Sequence, residues 1–199
     1  FCYSEGLESF FDRKNIKEPE NVKNIIISEL KIGQIKLDAK LLLEFLNTFK
    51  EINKAKSLES NFKKLLSLDK WILATKDSIE IREQQTQMSK SLFDLTKEFG
   101  FEYPYEKNKK SSWPLAWTWA CFCFEIAELE MVENFLYAWS ANQLSAALRL
   151  IPMGSTKSQL IQRDLLPIIS KVSREIMDKK INDIYFGNVG LAMAQQNHN

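Results

Sequence analysis

Residues that interrupt helices are scarce in this chain of 199 residues, which contains only 6 glycines and 5 prolines. The stretches between them are long and rich in residues that favour helices over strands. Hydrophobic residues make up 45% of the sequence, enough for one substantial core without a division into two domains. We therefore predict an all-α fold in which residues 1–199 form a compact single-domain helical bundle.

The chain also lacks an excess of charge of either sign. Lysine and arginine number 27 against 26 acidic residues, so the net charge of +1 creates no field that would attract nucleic acid or anionic lipid. The most apolar stretch, Pro114 to Ile126, is far shorter than the ~20 residues that cross a bilayer. We predict neither a nucleic-acid partner nor a membrane partner.

Cysteine is sparse as well. The three cysteines are an odd number, unlike the even disulfide framework of a small secreted domain, which favours the reducing cytoplasm. The sequence begins at Phe1 rather than at methionine, and it shows no pattern of a signal peptide. We expect the native protein to extend beyond Phe1 at its amino-terminal end and beyond Asn199 at its carboxyl-terminal end.

Residue sets that would support catalysis or metal binding are missing. Cys121 and Cys123 are two residues apart, so on a helix their side chains would point roughly 200° away from each other. His198 is the only histidine. Phosphate-binding glycine loops and a G-x-S-x-G nucleophile motif do not occur. We predict no enzymatic activity, no cofactor and no metal ligands, and we interpret the carboxylates Glu125, Glu128, Glu130 and Glu133 as a solvated face.

Apolar residues recur at helical spacing between recognisable start and stop signals. Pro19 is predicted to open the first helix and Gly33 to end it. One or two helices over residues 69–99 should stop at Gly100 and point six apolar side chains inward, namely Ile72, Ile79, Met88, Leu92, Leu95 and Phe99. Ser112 should cap the next helix. A further helix, from about Glu130, should end at Pro152 and Gly154, with Ser155 or Thr156 capping a last helix that Pro167 kinks.

Polar residues interrupt an apolar helix shortly before Pro152 and Gly154. Two readings remain open. In the structural one, Gln143 bonds to a neighbouring helix backbone and Arg149 reaches solvent or neutralises the carboxyl end of its helix. In the functional one, these residues form part of a binding surface.

Three blocks of this sequence, in order, resemble the UreF family of urease accessory proteins. The segment 146–159 resembles the family pattern A-A-x-K/R-L-x-P-L-G-Q-T with a following glutamine, except that Met153 and Ser155 replace the usual leucine and glutamine. The opening residues 1–8 resemble its Y-S-x-G-L-E element, and residues 82–92 resemble its R-E-x-x-x-Q-M-G-x-x-L helix, with Ser89 in place of the glycine. The family's carboxyl-terminal H-E-x-x-Y-S-R-L-F tail does not follow His198.

The resemblance implies a cytoplasmic, non-catalytic homodimer that joins UreD (also called UreH) and the GTPase UreG on apo-urease and helps to deliver nickel. It implies that nickel passes through this assembly without a tight site on the chain. Arg149 is the first candidate for contact with UreG, and an alternative is that Arg149 acts as the finger of a GTPase-activating protein. The other predicted partner-binding residues are Tyr3, Gly6, Glu8, Gln143, Pro152, Gly154 and Gln159.

Overall fold

The computed structural model describes residues 18–54, 58–76, 78–104 and 110–178. These residues form seven helices: α1 (Pro19–Ile32), α2 (Gln34–Lys54), α3 (Leu58–Ala74), α4 (Ile79–Glu98), α5 (Trp113–Cys123), α6 (Glu128–Leu150) and α7 (Ser155–Asp178). Over the described ranges there is no strand, and the predicted all-α class is confirmed. Among these helices, none combines the length and the apolar character that a membrane crossing requires.

Local stop and start signals place most helix boundaries where the sequence predicts them. Gly33 follows α1, and Ser112 caps α5 by accepting a hydrogen bond from the backbone N–H of Leu115 at 3.3 Å. Gly100 follows α4 with a φ of 88°, a conformation that favours glycine. The prediction for α7 is wrong by one residue, because Ser155 is already helical and the carbonyl of Gly154 accepts the N–H of Ser158 at 3.1 Å.

Helix α2 lies at the centre of the bundle and contacts α1, α3, α5, α6 and α7. One side of it, which includes Leu42 and Leu46, packs into a core shared with α1, α6 and α7. The other side, which includes Leu41, Phe45 and Phe49, packs into a second core with α3 and α5. A helix buried on two sides needs an apolar surface wider than a single stripe, which explains the nearly continuous apolar run of residues 41–46.

The polar residues of α2 are not all solvated, although the spacing of its charged residues between apolar ones would suggest a solvated face. Lys40 and Asp38 are buried. The carboxylate of Asp38 accepts a hydrogen bond from the ammonium of Lys76 at 2.5 Å, and the side chains of this pair are only 4% and 5% exposed. The pair therefore ties α2 to the connection between α3 and α4.

The predicted inward face of residues 69–99 is confirmed only in part: Ile72, which lies in α3, is buried, Met88 and Leu92 of α4 are half-buried, and the other three side chains are exposed. Ile79, Leu95 and Phe99 are 61%, 51% and 61% exposed, and Phe124 after α5 is 48% exposed. Helix α4 instead buries the small or polar side chains Gln85, Ser89 and Thr96, and it packs chiefly on α5. The small side chains of Ser89 and Thr96 allow α4 and α5 to approach closely, so the exposed apolar residues of α4 are left at the sides of the contact.

Candidate functional site

The connection between α6 and α7 is short and held firmly. The side chains of Ile151 and Met153 are buried in the core beneath it. The N–H of Ile151 donates to the carbonyl of Ala147 at 3.0 Å, and the N–H of Met153 donates to the carbonyl of Ile151 at 2.8 Å. Two apolar anchors and two backbone hydrogen bonds therefore fix the positions of the residues between and beside them.

Four of the predicted partner-binding residues are exposed at this connection. Arg149 lies in the last turn of α6, Pro152 and Gly154 lie in the connection itself, and Gln159 lies in the second turn of α7. A Cβ atom added at Gly154 would meet no heavy atom within 4 Å. The packing of the described residues thus does not demand a glycine there, whereas a partner that approaches the backbone closely would. We call Arg149, Pro152, Gly154 and Gln159 the α6–α7 surface.

Gln143 does not belong to this surface. It is only 3% exposed, whereas Arg149, six residues later on the same helix, is exposed. Six residues turn an α-helix through roughly 600°, which leaves the two side chains about 120° apart. Both residues take part in interactions with other groups of the protein. Of the two readings left open for this helix, the structural one fits the burial of Gln143. The exposure of Arg149 fits both readings, because the structural one also lets Arg149 reach solvent.

The α6–α7 surface carries two exposed cations, Arg149 and Lys157. The positive pole at the amino-terminal end of α7 and the negative pole at the carboxyl end of α6 lie beside each other and offset, so the side chains decide the sign of the local charge. Asp164, one turn beyond Gln159, is already engaged, since Arg163 lies 2.9 Å and Lys23 3.1 Å from its carboxylate. Hydrogen bonds from Arg163 and Lys23 lower the pKa of Asp164 below its usual value. The surface therefore suits a partner that presents carboxylates or phosphates.

The structure places the remaining candidates as follows. Tyr3, Gly6, Glu8 and His198 lie outside the described residues. Burial raises the pKa of the Cys121 thiol to about 12 and that of the Cys123 thiol to about 11, so both stay protonated and are poor metal ligands at neutral pH. In the part of the chain that the structure describes, no group of three or more histidine, cysteine, aspartate or glutamate residues could hold a metal ion.

Sequence reasoning missed Asp69, a buried carboxyl group in α3. Its Oδ1 accepts a hydrogen bond from the backbone N–H of Ser112 at 2.9 Å and so links α3 to the start of α5. Burial raises the pKa of Asp69 to about 6, although hydrogen bonds from Ser112 and Ser111 act in the opposite direction. The carboxyl group lines an open cavity of about 520 Å³, whose other lining residues are Leu66, Lys70, Leu73, Ala74, Arg82 and Lys110. An aspartate inside the apolar run of residues 65–73 is the sequence signal that would have indicated it.

Arg82 at the rim of this cavity has a bracing role. Its Nη1 donates a hydrogen bond to the backbone carbonyl of Lys76 at 2.8 Å, across the turn that joins α3 to α4. The neighbouring Glu83 is exposed. Arg82 is thus held by a backbone carbonyl oxygen of the adjacent turn.

Comparison with known proteins bears on the resemblance found in the sequence. A family model described as UreF matches residues 16–166, which is more than half of the chain. The chain belongs to the UreF family. The resemblance carried by the three sequence blocks is thereby confirmed.

Relatives of this UreF-family chain share its whole length. A protein of Prochlorococcus marinus strain MIT 9312, named urease accessory protein UreF, is 77% identical over 199 residues that cover 100% of this chain and 87% of the relative. Proteins of the same name from Synechocystis sp. strain PCC 6803 and Microcystis aeruginosa strain NIES-843 are 32% and 28% identical, over 100% of this chain and 86% of each relative. The residues that the UreF model matches include the entire α6–α7 surface.

Proposed function

We propose that this UreF-family chain is a urease accessory protein that acts in urease maturation. In this proposal it bridges UreD/UreH and the GTPase UreG on apo-urease and couples GTP hydrolysis to nickel delivery. It works in the cytoplasm as a homodimer, without a cofactor or a catalytic activity of its own. The observation that carries the proposal is membership of the UreF family, whose relatives bear the name urease accessory protein.

The α6–α7 surface is the proposed place of contact with UreG. Arg149 offers a planar set of donors that suits a carboxylate or a phosphate, and the buried Ile151 and Met153 hold the connection in place before a partner arrives. Pro152 and Gly154 add a surface that a partner backbone can approach closely. Gln143 acts from inside the bundle by supporting α6, and Tyr3, Gly6 and Glu8 are proposed to assist from the amino-terminal segment.

A second candidate function is stimulation of the GTPase by Arg149 itself. Arg149 is exposed at the end of a helix, where a guanidinium can reach into the site of a bound partner and neutralise negative charge in the transition state. The two candidates differ in what lysine at this position should do. A catalytic finger loses stimulated hydrolysis in Arg149→Lys while the complex still forms, whereas an adaptor loses complex formation and hydrolysis together.

The main test is nickel content and activity of urease purified after coexpression with UreD and UreG, with and without this chain. We expect nickel loading to depend on the chain and to fall in Arg149→Ala and Gly154→Arg. A Cβ atom at Gly154 would meet no heavy atom within 4 Å and Gly154 is exposed, so the effect of the second variant should come from obstruction of a partner. Arg174→Ala is the matched control, because Arg174 is an exposed arginine of α7 about 28 Å along the helix from Ser155. Equal nickel loading of urease without the chain would refute the proposal.

A further inference from the structure

Helices α4 and α5 end in the same way and beside each other. After α4, the N–H of Phe101 donates to the carbonyl of Thr96 at 3.0 Å, and after α5 the N–H of Ile126 donates to the carbonyl of Cys121 at 2.9 Å. Both bonds span five residues and close the helix end around a residue with positive φ, which is the Schellman motif. The two motifs turn the chain sharply and leave the residue at each helix end pointing outward.

The outward residue is a phenylalanine in both motifs. Phe99 and Phe124 are 61% and 48% exposed, and their rings meet edge to face with centroids 5.7 Å apart. The ring of Phe101 lies 5.3 Å from that of Phe124. Leu95, one turn before Phe99, and Ile126, two residues after Phe124, are exposed as well. We call Leu95, Phe99, Phe101, Phe124 and Ile126 the α4–α5 end surface.

A contiguous apolar surface of this kind usually marks a binding site. Its formation here also carries a cost. The left-handed residue is glycine after α4 but Glu125 after α5, with a φ of 53°. A residue with a Cβ atom in this conformation costs roughly 1–2 kcal/mol, so the second motif keeps its shape against local strain.

The rim of the α4–α5 end surface is acidic. Asp94, Glu98 and Glu125 are exposed next to its apolar residues, and so is Glu102. Residues 94–102 contain one lysine, Lys97, whose ammonium lies 3.7 Å from the carboxylate of Glu102. The carboxyl ends of two helices meet at the same place and add the negative poles of their dipoles. The apolar residues are therefore accompanied by an excess of negative charge.

We propose that the α4–α5 end surface binds a basic amphipathic helix of a partner protein, with apolar residues that cover the phenylalanines and lysines or arginines that face the acidic rim. A second copy of this chain fits less well, because symmetric pairing would bring two acidic rims and four helix carboxyl ends together. An anionic lipid surface is repelled by the same charges. The site consists of other residues than the α6–α7 surface and does not depend on the proposed function.

The test uses a fluorescent peptide of about 14 residues, or four helical turns, with leucines on one face and lysines on the other, and a second peptide with glutamates in place of the lysines. Fluorescence anisotropy measures their binding to the full chain. We expect the lysine peptide to bind, with roughly tenfold weaker affinity for Phe99→Ser/Phe124→Ser, for Glu98→Lys/Glu125→Lys, and at raised ionic strength. The control Tyr137→Ser/Leu160→Ser changes two exposed apolar residues outside the surface and should bind as the parent does.

Several outcomes would overturn this inference. One is that the lysine peptide does not bind. Another is that the glutamate peptide binds as tightly as the lysine peptide, and a third is that both surface variants bind the lysine peptide as tightly as the parent chain does. Another is a dimer that sedimentation velocity detects in the parent chain and not in Phe99→Ser/Phe124→Ser, because a second copy would then cover the surface. Circular dichroism checks the fold, and if the phenylalanine variant unfolds, Glu98→Lys/Glu125→Lys decides the test, since both glutamates are exposed.

Discussion

Removal of one partner from the buried pair of Lys76 and Asp38 should destabilise the protein strongly. The ammonium of Lys76 lies 2.5 Å from one carboxylate oxygen of Asp38, and the side-chain amide of Gln34 donates to the other oxygen at 3.1 Å. The side chain of Asp38 is only 4% exposed, so in Lys76→Met its carboxylate remains buried. It keeps the hydrogen bond from the amide of Gln34 but loses its counter-charge. An uncompensated charge in such a position costs about 3–5 kcal/mol. For a domain of this size that corresponds to a fall in Tm of roughly 6–20 °C.

The double variant Lys76→Met/Asp38→Leu should recover most of that loss. When both charges are absent, neither is buried without a partner, and replacement of a buried ion pair by apolar residues of similar size is often nearly neutral. The two single losses should therefore not add, and the coupling free energy should be about 2 kcal/mol or more. This non-additivity distinguishes a buried pair from two residues that contribute separately through packing.

Urea-induced unfolding followed by circular dichroism measures the free energy of unfolding of the parent, of Lys76→Met, of Asp38→Leu and of the double variant. Lys63→Met is the matched control, because Lys63 pairs with Glu59 at 2.8 Å on the surface, with side chains 76% and 84% exposed. A surface pair of this kind contributes only about 0.3–0.5 kcal/mol. A loss below about 1 kcal/mol in Lys76→Met, or strictly additive losses in the double variant, would show that the pair is not buried as described.

Two further predictions concern single residues. Because burial raises the pKa of Asp69 from 3.8 to about 6, the folded chain binds this proton more tightly than the unfolded chain does. The free energy of unfolding should therefore rise as the pH falls from about 6 to about 4, by at most about 3 kcal/mol. Urea unfolding at several pH values should show that Asp69→Asn removes this component. An identical pH dependence in the variant would contradict the raised pKa. Glu125→Gly should raise the free energy of unfolding by about 1 kcal/mol, since glycine adopts the φ of 53° without strain. A thermal melt in which this variant has a lower Tm than the parent would argue against strain at Glu125.

Much of the local structure of this protein can be predicted from residues close together in the sequence. Proline in the first turn, a capping serine and glycine after the last turn act through groups within about five residues, so Pro19, Gly33, Gly100 and Ser112 indicate helix ends correctly. Family membership is likewise predictable from ordered motifs, including the residues of the α6–α7 surface. These features need no knowledge of which helices become neighbours.

Burial depends on those neighbours, and here local patterns were insufficient. Helix α4 packs through Gln85, Ser89 and Thr96 because α5 lies against that side, while the apolar Leu95 and Phe99 remain exposed. Asp38 and Lys76 are 38 residues apart, so only the packing of α2 against the α3–α4 connection makes them an ion pair. A helical period identifies which residues share a face, but the tertiary contacts decide whether that face meets another helix or water.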